Sequence, residues 1–322
     1  MKRIFNRMAL TVVFIFILCQ NVSAAQLLIP GGQLIGLELG DYSVTVAAFH
    51  DTLGANAQAA GLKVGDKITR IDTHTIQCAE DIRQALLHSD GQIDVSILRN
   101  GKAKSLKLCP KITADGPRLG VYLKQGVTGV GTVTWYDPDS GRFGALGHGV
   151  NTSGGELLNM RKGKAYNAAV QSVKKGVVGE PGQLLGAINP MQPIGSLSKN
   201  TPQGIFGTAE NGWQGQALPI ASASEIKAGP ATIRSTVQDH SVQEYSVEIL
   251  KIYPSARSSG RNMLLKITDP ALLQTTGGIV QGMSGSPIIQ DGKLVGAVTH
   301  VLVNDPTTGY GIFIENMLDA AA

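Results

Sequence analysis

The chain has 322 residues, a formal net charge of +4, 43% hydrophobic residues and only 5% aromatic residues. This length favours two domains, each with room for its own hydrophobic core. The mild charge and the lack of a long basic run argue against nucleic-acid binding. Forty glycines, and short apolar runs broken by turns, indicate a mainly β architecture.

Residues 1–24 have the pattern of an export signal. Three basic residues precede the apolar stretch 9–18, and Val22-Ser23-Ala24 offers small residues at a cleavage point. The apolar run is short for a membrane span, but retention as a signal anchor stays open. Either outcome takes the protein across the cytoplasmic membrane. Behind this segment only Cys78 and Cys109 remain, too few for a disulfide framework and without metal-ligand partners nearby. No metal or organic cofactor is expected.

Residues 28–110 predict a separate unit. A turn and a strand are expected over 59–72, and residues 80–88 have apolar positions at helical spacing. Residues 93–99 alternate as a strand and run into Asn100-Gly101, a hairpin turn signal. Residues 111–117 are then predicted to be a linker.

This unit resembles a bacterial PDZ domain, in which a segment like GLKVGDKITRID (61–72) recurs. The resemblance implies binding of an extended peptide as an added strand, beside a glycine-rich loop that holds a terminal carboxylate. The chain's own N-terminal region is one candidate peptide, and a spacer that binds no peptide is the alternative. By position, the predicted peptide-binding residues are Gly31, Gly32, Leu34, Ile35, Gly36 and Leu37.

Residues 118–322 predict the second domain, and a histidine stands out early in it. A strand over 131–136, a turn over 137–141 and a second short strand form a hairpin signature before FGALGHGV (143–150). Glycines flank His148, so its side chain could reach across a cleft as a general base. The alternative is a histidine that caps a loop.

A carboxylate could orient such a histidine. Asp269 ends the strand-like run 263–268 and precedes Pro270, which is also the pattern of an ordinary turn. Four other residues remain rivals at this stage: Asp137, Asp139, Asp239 and Asp305.

The segment Gly282-Met283-Ser284-Gly285-Ser286-Pro287 is the strongest chemical signal. A serine between glycines ahead of a strand is how many trypsin-like proteases present their nucleophile. The glycines keep the turn open, and the N–H groups of Gly282 and Ser284 are the predicted oxyanion donors. Ser286 is interpreted as a turn residue. His300, on the following strand, is a second candidate base, although a structural histidine is the favoured interpretation. Because Gly277 and Gly278 carry no charge, a preference for Arg or Lys at the cleaved bond is not expected.

Three segments closely resemble the stage IV sporulation protein B family of serine peptidases: FGALGHGV (143–150), ITDPALL (267–273) and residues 278–318. The resemblance implies a chymotrypsin-like double β-barrel after the PDZ domain, with His148, Asp269 and Ser284 as the catalytic triad. It implies an exported or membrane-peripheral endopeptidase in the space between forespore and mother cell. Such enzymes cut themselves and a membrane-bound regulator, and so trigger late sigma-factor processing.

Two other functions compete with this interpretation. One is a quality-control protease that also combines a PDZ and a serine peptidase domain, although there the PDZ domain usually follows the peptidase. The other is a PDZ-based scaffold that binds peptides and has lost catalysis. The intact set of histidine, aspartate and serine disfavours the scaffold.

Overall fold

The structure is a computed structural model that describes residues 26–41, 43–89, 91–152, 154–238, 241–255 and 260–322. The predicted export signal, residues 1–24, lies outside the described residues. In the part of the chain that the structure describes there are twenty-two strands and four helices. No helix in that part is long and apolar enough to cross a membrane.

The described chain opens with β1 (Leu27–Pro30) and β2 (Leu34–Asp41). It then leaves for a middle unit and returns at residue 127. The elements of the middle unit are β3 (Val44–Phe49), α1 (Ala55–Ala59), β4 (Lys67–Ile71), β5 (His74–Thr75), α2 (Ala79–Leu87), β6 (Ile93–Arg99), β7 (Lys102–Leu108), β8 (Lys111–Thr113), β9 (Gly116–Arg118) and β10 (Val121–Lys124).

The middle unit is a six-stranded sheet with its own core. Its strand order is β10-β3-β4-β6-β7, with β5 beside β4, and β8 and β9 form a separate hairpin. Apolar side chains of α2 such as Ile82 and Leu86 are buried against the sheet residues Ile68, Ile71 and Val95. The predicted helix at 80–88, the strand at 93–99 and the turn at Asn100-Gly101 are confirmed.

A buried ion pair fixes the turn that precedes β4. The Arg99 side chain donates to both carboxylate oxygens of Asp66 at 2.6 Å and to the Gly61 carbonyl at 2.7 Å. The N–H of Lys63 also donates to Asp66, at 2.8 Å. Burial alone would raise the pKa of Asp66, but the hydrogen bonds from Arg99 and Lys63 outweigh it, and the pKa is lowered. The segment 61–66 is therefore tied to β6.

The first barrel combines strands from both sides of the middle unit. Those after it are β11 (Val127–Tyr136), β12 (Arg142–Ala145), β13 (Met160–Lys174), β14 (Gln183–Thr201) and β15 (Gly204–Ala209). The strand order is β12-β15-β14-β13-β2-β11, and β11 pairs back to β12, so six strands close into a ring. Outside the ring, β1 pairs with β11 and with β16 (Leu218–Pro219).

The second barrel is continuous in sequence. Its elements are β17 (Gly229–Ser235), β18 (Gln243–Ile252), β19 (Met263–Ile267), α3 (Pro270–Thr276), β20 (Pro287–Gln290), β21 (Lys293–Leu302), β22 (Asp305–Phe313) and α4 (Ile314–Ala321). The six strands close in the order β17-β18-β19-β22-β21-β20. Along β18, Tyr245, Val247 and Ile249 are buried while their neighbours are exposed, as a period of two requires. The predicted double barrel is confirmed.

The predicted domain boundaries need correction. Residues 34–39 of β2 pair with residues 127–132 of β11, so the N-terminal strands belong to the first barrel and the middle unit is an insertion. The predicted linker 111–117 forms most of the β8–β9 hairpin. The peptidase unit does not begin at residue 118, because β10 still pairs with β3. Local patterns did not reveal this, since the strands that pair with β2 lie beyond the insertion.

Candidate active site

The loop before β20 carries Ser284, and glycine is required on both sides of it. Gly282 and Gly285 have φ of +101° and +97°, a region that side chains rarely adopt. A Cβ on Gly285 would lie 2.0 Å from the Thr132 carbonyl oxygen and 2.5 Å from the Leu146 nitrogen. Only glycine therefore lets this loop of the second barrel pack directly on the first barrel.

Buried threonines of β11 hold this loop from the opposite barrel. The Thr132 N–H donates to the Ser284 carbonyl at 3.0 Å, and the Thr132 hydroxyl donates to the Gly282 carbonyl at 2.7 Å. The Thr134 hydroxyl donates to the Gly285 carbonyl at 2.8 Å. These bonds join three carbonyls of the loop to the first barrel, while the Gly285 N–H donates to the Val298 carbonyl of the second barrel.

The predicted oxyanion donors are the N–H groups of Gly282 and Ser284. Among the described residues, neither the Gly282 N–H nor the Ser284 N–H donates to another group, whereas those of Met283 and Gly285 do. Two unpartnered N–H groups, one from Gly282 and one from the serine itself, form a site for the negative charge of a tetrahedral intermediate.

The loop after β12 presents His148. The residues before it, Leu146 and Gly147, have φ of +70° and +67°. A positive φ at leucine costs about 1–3 kcal/mol, and such strain clusters at functional sites. His148 Nδ1 lies 2.9 Å from the carbonyl oxygen of Gly149. Because a carbonyl can only accept, Nδ1 carries the proton, and Nε2 is free to accept one.

Burial lowers the pKa of His148 below its usual value, and the hydrogen bond to Gly149 offsets part of this shift. The imidazole is therefore neutral near pH 7, the state that a general base needs.

Ser284 and His148 line one cavity of about 320 Å³ between the barrels. The Ser284 hydroxyl donates to the Thr299 carbonyl at 2.8 Å. To transfer its proton to His148, the hydroxyl must turn away from Thr299. Ser284 and His148 thus line the same cavity, while the Ser284 hydroxyl is bonded to Thr299.

His300 on β21 is the titratable side chain beside His148. Their ring centroids are 5.4 Å apart with the planes inclined by 39°. His300 Nδ1 is buried and has no hydrogen-bond partner among the described residues. Burial, with the charges of His148 and Arg261, lowers the pKa of His300 to about 4. The sequence favours a structural role for His300, whose only local signal is its place after the apolar strand 294–298.

Asp269 is not brought to this site. Its carboxylate accepts hydrogen bonds from the N–H of Leu272 at 3.0 Å and of Ser246 at 3.4 Å, and it caps the N-terminus of α3. It makes no hydrogen bond to His148 or Ser284 in the structure. Asp before proline at the first helical position is a strong helix-start pattern, which explains this placement. Its triad role stays a prediction from the family resemblance.

Three of the four rival aspartates lie in turns of their own. Asp137 holds the turn before β12, and Asp305 holds the turn before β22, each through bonds to its own neighbours. Asp139 lies in the first of these turns and donates its N–H to Asp137. Asp239 lies outside the described residues.

The predicted peptide-binding residues of the PDZ domain lie in the first barrel instead. Gly31 and Gly32 donate their N–H groups to the carbonyls of Thr134 and Val133, next to β1. The other four residues, Leu34, Ile35, Gly36 and Leu37, belong to β2, which is paired along both edges, with β11 and β13. A strand whose two edges are occupied cannot accept a peptide, so this prediction is wrong.

The middle unit has a different groove, of about 560 Å³, between α2 and the edge strand β10. Its apolar lining residues are Leu53, Ile82, Leu86, Leu119, Val121 and Leu123. At one end of the groove, the N–H groups of Leu119 and Gly120 donate to no other group of the described residues. The signal that sequence reasoning missed is Leu119-Gly120-Val121, a glycine directly before a short apolar strand.

Across the described ranges, no three His, Cys, Asp or Glu side chains form a group that could hold a metal ion. Two closed barrels, with a glycine-framed serine on one and a histidine on the other, define a serine peptidase of chymotrypsin-like fold.

The comparisons with known proteins name the family. Residues 115–318 match the family described as SpoIVB peptidase S55, and the chain belongs to this family. It is therefore a serine endopeptidase. No curated protein matches the chain in sequence.

Among solved structures, the Rv3671c protease from M. tuberculosis in its active form is 14% identical, with a TM-score of 0.36 over 61% of this chain and 75% of that chain. The inactive form of the Rv3671c protease is 13% identical, with a TM-score of 0.34 over 59% of this chain and 82% of that one.

Proposed function

We propose that this protein is an exported endopeptidase of sporulation signalling that uses Ser284 as nucleophile and His148 as general base. The observation that carries the proposal is the shared cavity of these two side chains beside the free N–H groups of Gly282 and Ser284. Its substrates are its own chain and a membrane-bound regulator, and the membership in the SpoIVB peptidase family supports this role.

The chemistry follows from the arrangement of the site. Ser284 Oγ turns from the Thr299 carbonyl toward Nε2 of His148, which takes its proton as Oγ attacks the peptide carbonyl. The N–H groups of Gly282 and Ser284 stabilise the oxyanion. The hydrogen bond from Nδ1 to Gly149 keeps the imidazole in the tautomer that this step needs. Protonated His148 then gives the proton to the leaving amine, and water resolves the acyl-enzyme.

Serine replacement tests this proposal. We expect the chain from residue 25 to take a fluorophosphonate label and to fragment itself, as followed by intact mass. Ser284→Ala should abolish both, because loss of the nucleophile in related enzymes costs on the order of a millionfold in rate. Ser286→Ala is the matched control: this serine lies two positions away, is buried and has no hydrogen-bond partner for its hydroxyl among the described residues. A folded wild type that neither labels nor fragments would favour the peptide-binding scaffold.

We further propose that the groove between α2 and β10 is the peptide site of a PDZ domain. An extended peptide would pair with the free edge of β10, and its terminal carboxylate would meet the N–H groups of Leu119 and Gly120. Gly120 has φ +70°, and a Cβ there would lie 2.1 Å from the Leu53 carbonyl oxygen, so the chain needs glycine at this point.

Binding of short apolar peptides, with free and amidated C-termini, tests this site by calorimetry. We expect the free-acid form to bind and the amide to bind at least tenfold more weakly. Leu123→Glu should weaken binding of the free acid because Leu123 lines the groove, whereas Lys124→Glu, on the other face of β10, should not. Equal binding of acid and amide would count against a carboxylate site.

A further inference from the structure

The cavity beside Ser284 and His148 has a chemical character of its own. Its walls come from β2 and β11, from the histidine loop and from the nucleophile loop. Since Gly282 and Ser284 lie on its border, a side chain within it belongs to a residue next to the scissile bond.

Apolar side chains dominate the lining. Leu37, Leu39 and Leu146 are buried and form its floor, while three half-buried valines surround them: Val127, Val130 and Val150. Among the described residues that line it, His148 is the only titratable side chain, and burial keeps it neutral near pH 7.

We propose that this cavity is the specificity subsite of the peptidase and receives an apolar side chain, such as valine, leucine or isoleucine, adjacent to the cleaved bond. The subsite rests on the proposed function of Ser284 and His148. An apolar side chain gains from leaving water here, whereas a lysine or glutamate would lose its hydration without meeting a partner charge. Discrimination against a charged side chain should therefore exceed the roughly 10–200-fold that a single methylene gives in apolar pockets.

The test is a cleavage profile of the wild type and of one charged variant of the subsite. A random peptide library is digested, cut sites are read by mass spectrometry, and kcat/KM is measured for matched peptides with Leu or Lys at the selected position. We expect wild type to enrich apolar residues at one position within two residues of the cut. Val130→Asp should lower kcat/KM for the Leu peptide at least tenfold and raise that for the Lys peptide.

Thr128→Asp is the matched control, because Thr128 is exposed on the same strand and does not line the cavity. Its profile should equal that of wild type. Thermal unfolding checks that Val130→Asp is folded, and Val150→Asp, on the histidine loop, serves if it is not. Fluorophosphonate labelling at Ser284 shows that each variant keeps its nucleophile.

The outcomes separate this proposal from the proposed function. Active wild type with no apolar preference near the cut, or Val130→Asp and Val150→Asp with the wild-type profile, would overturn the subsite and leave the peptidase standing. Wild type that neither cuts nor labels would remove both.

Discussion

The two barrels have six strands each but differ in how the sequence encodes them. The second barrel uses one continuous segment, 229–313, and each of its strands finds its partners within that segment. The first barrel is interrupted after β2 by about eighty residues that fold as a separate unit. Local sequence patterns therefore specify the second barrel well, whereas the first depends on pairing across the insertion.

The insertion also places the middle unit next to the strands that line the catalytic cavity. β2 and β11, which lead into and out of this unit, form two walls of the catalytic cavity. Between them the Gln125 side chain donates to the Asp41 carbonyl at 2.8 Å and to the Gln77 carbonyl of the middle unit at 2.9 Å. The inserted unit is thus joined directly to the strands that line the active site.

The largest expected effect comes from changing which strands of the first barrel the chain contains. A chain that starts at residue 118 should not fold, because it lacks β2, which pairs with both β11 and β13. Replacement of residues 40–126 by Asn-Gly should fold, since Leu39 and Val127 are paired and a two-residue turn can join them. Circular dichroism, thermal unfolding and labelling of Ser284 check both chains. A folded, labelled chain from residue 118 would contradict the barrel assignment.

The next largest effect is expected for a substitution at the contact between the two barrels. Gly285→Ala should destabilise the protein by roughly 3 kcal/mol or more and remove labelling, because the new methyl group meets main-chain atoms of Thr132 and Leu146. Denaturant unfolding measures the change.

Gly292→Ala is the control for Gly285→Ala. Gly292 also has a positive φ, +73°, but open space surrounds its missing Cβ. Backbone strain alone should cost about 1 kcal/mol there, with labelling retained. Equal losses for the two variants would show that the barrel contact is not tight at Gly285.

The sequence predictions succeed where the signal is local and fail where it depends on pairing between distant segments. Ser284 and His148 stand out because glycines frame them, and the strands of the second barrel alternate regularly. The prediction of a peptide groove at residues 31–37 is wrong because the local sequence of a strand does not show which strands it pairs with. Asp269 shows another limit: a carboxylate at a strand end and a helix N-cap share one local signature. His300 was undervalued because only folding brings β21 beside the histidine loop.

A smaller effect is expected for His300, which contacts the base from the second barrel. His300→Gln should lower kcat on the order of tenfold with little change in KM, because the ring that packs on His148 is lost. In wild type the lowered pKa of His148 keeps the base neutral to below pH 6.5, so activity should fall only in acid as His148 takes a proton. Below about pH 4, protonated His300 adds like charge.

The pH profile of kcat/KM checks the coupling between the two histidines. Removing His300 should change the profile only below about pH 4, because above that pH His300 is neutral and adds no charge beside His148. An unchanged profile with a lower melting temperature would mean that His300 is structural only.

The smallest effect is expected for Asp269→Asn, which separates the predicted triad from the observed cap. Asparagine caps helices as well as aspartate, so the free energy of unfolding should change by less than about 0.5 kcal/mol, and kcat by only a few-fold. Asp269→Ala, the control that removes the cap, should cost about 1 kcal/mol. If Asp269 orients His148 during turnover, Asp269→Asn should instead reduce kcat on the order of 10⁴-fold at unchanged stability. That result would require α3 and the histidine loop to rearrange when substrate binds, since Asp269 caps α3 and makes no hydrogen bond to His148 in the structure.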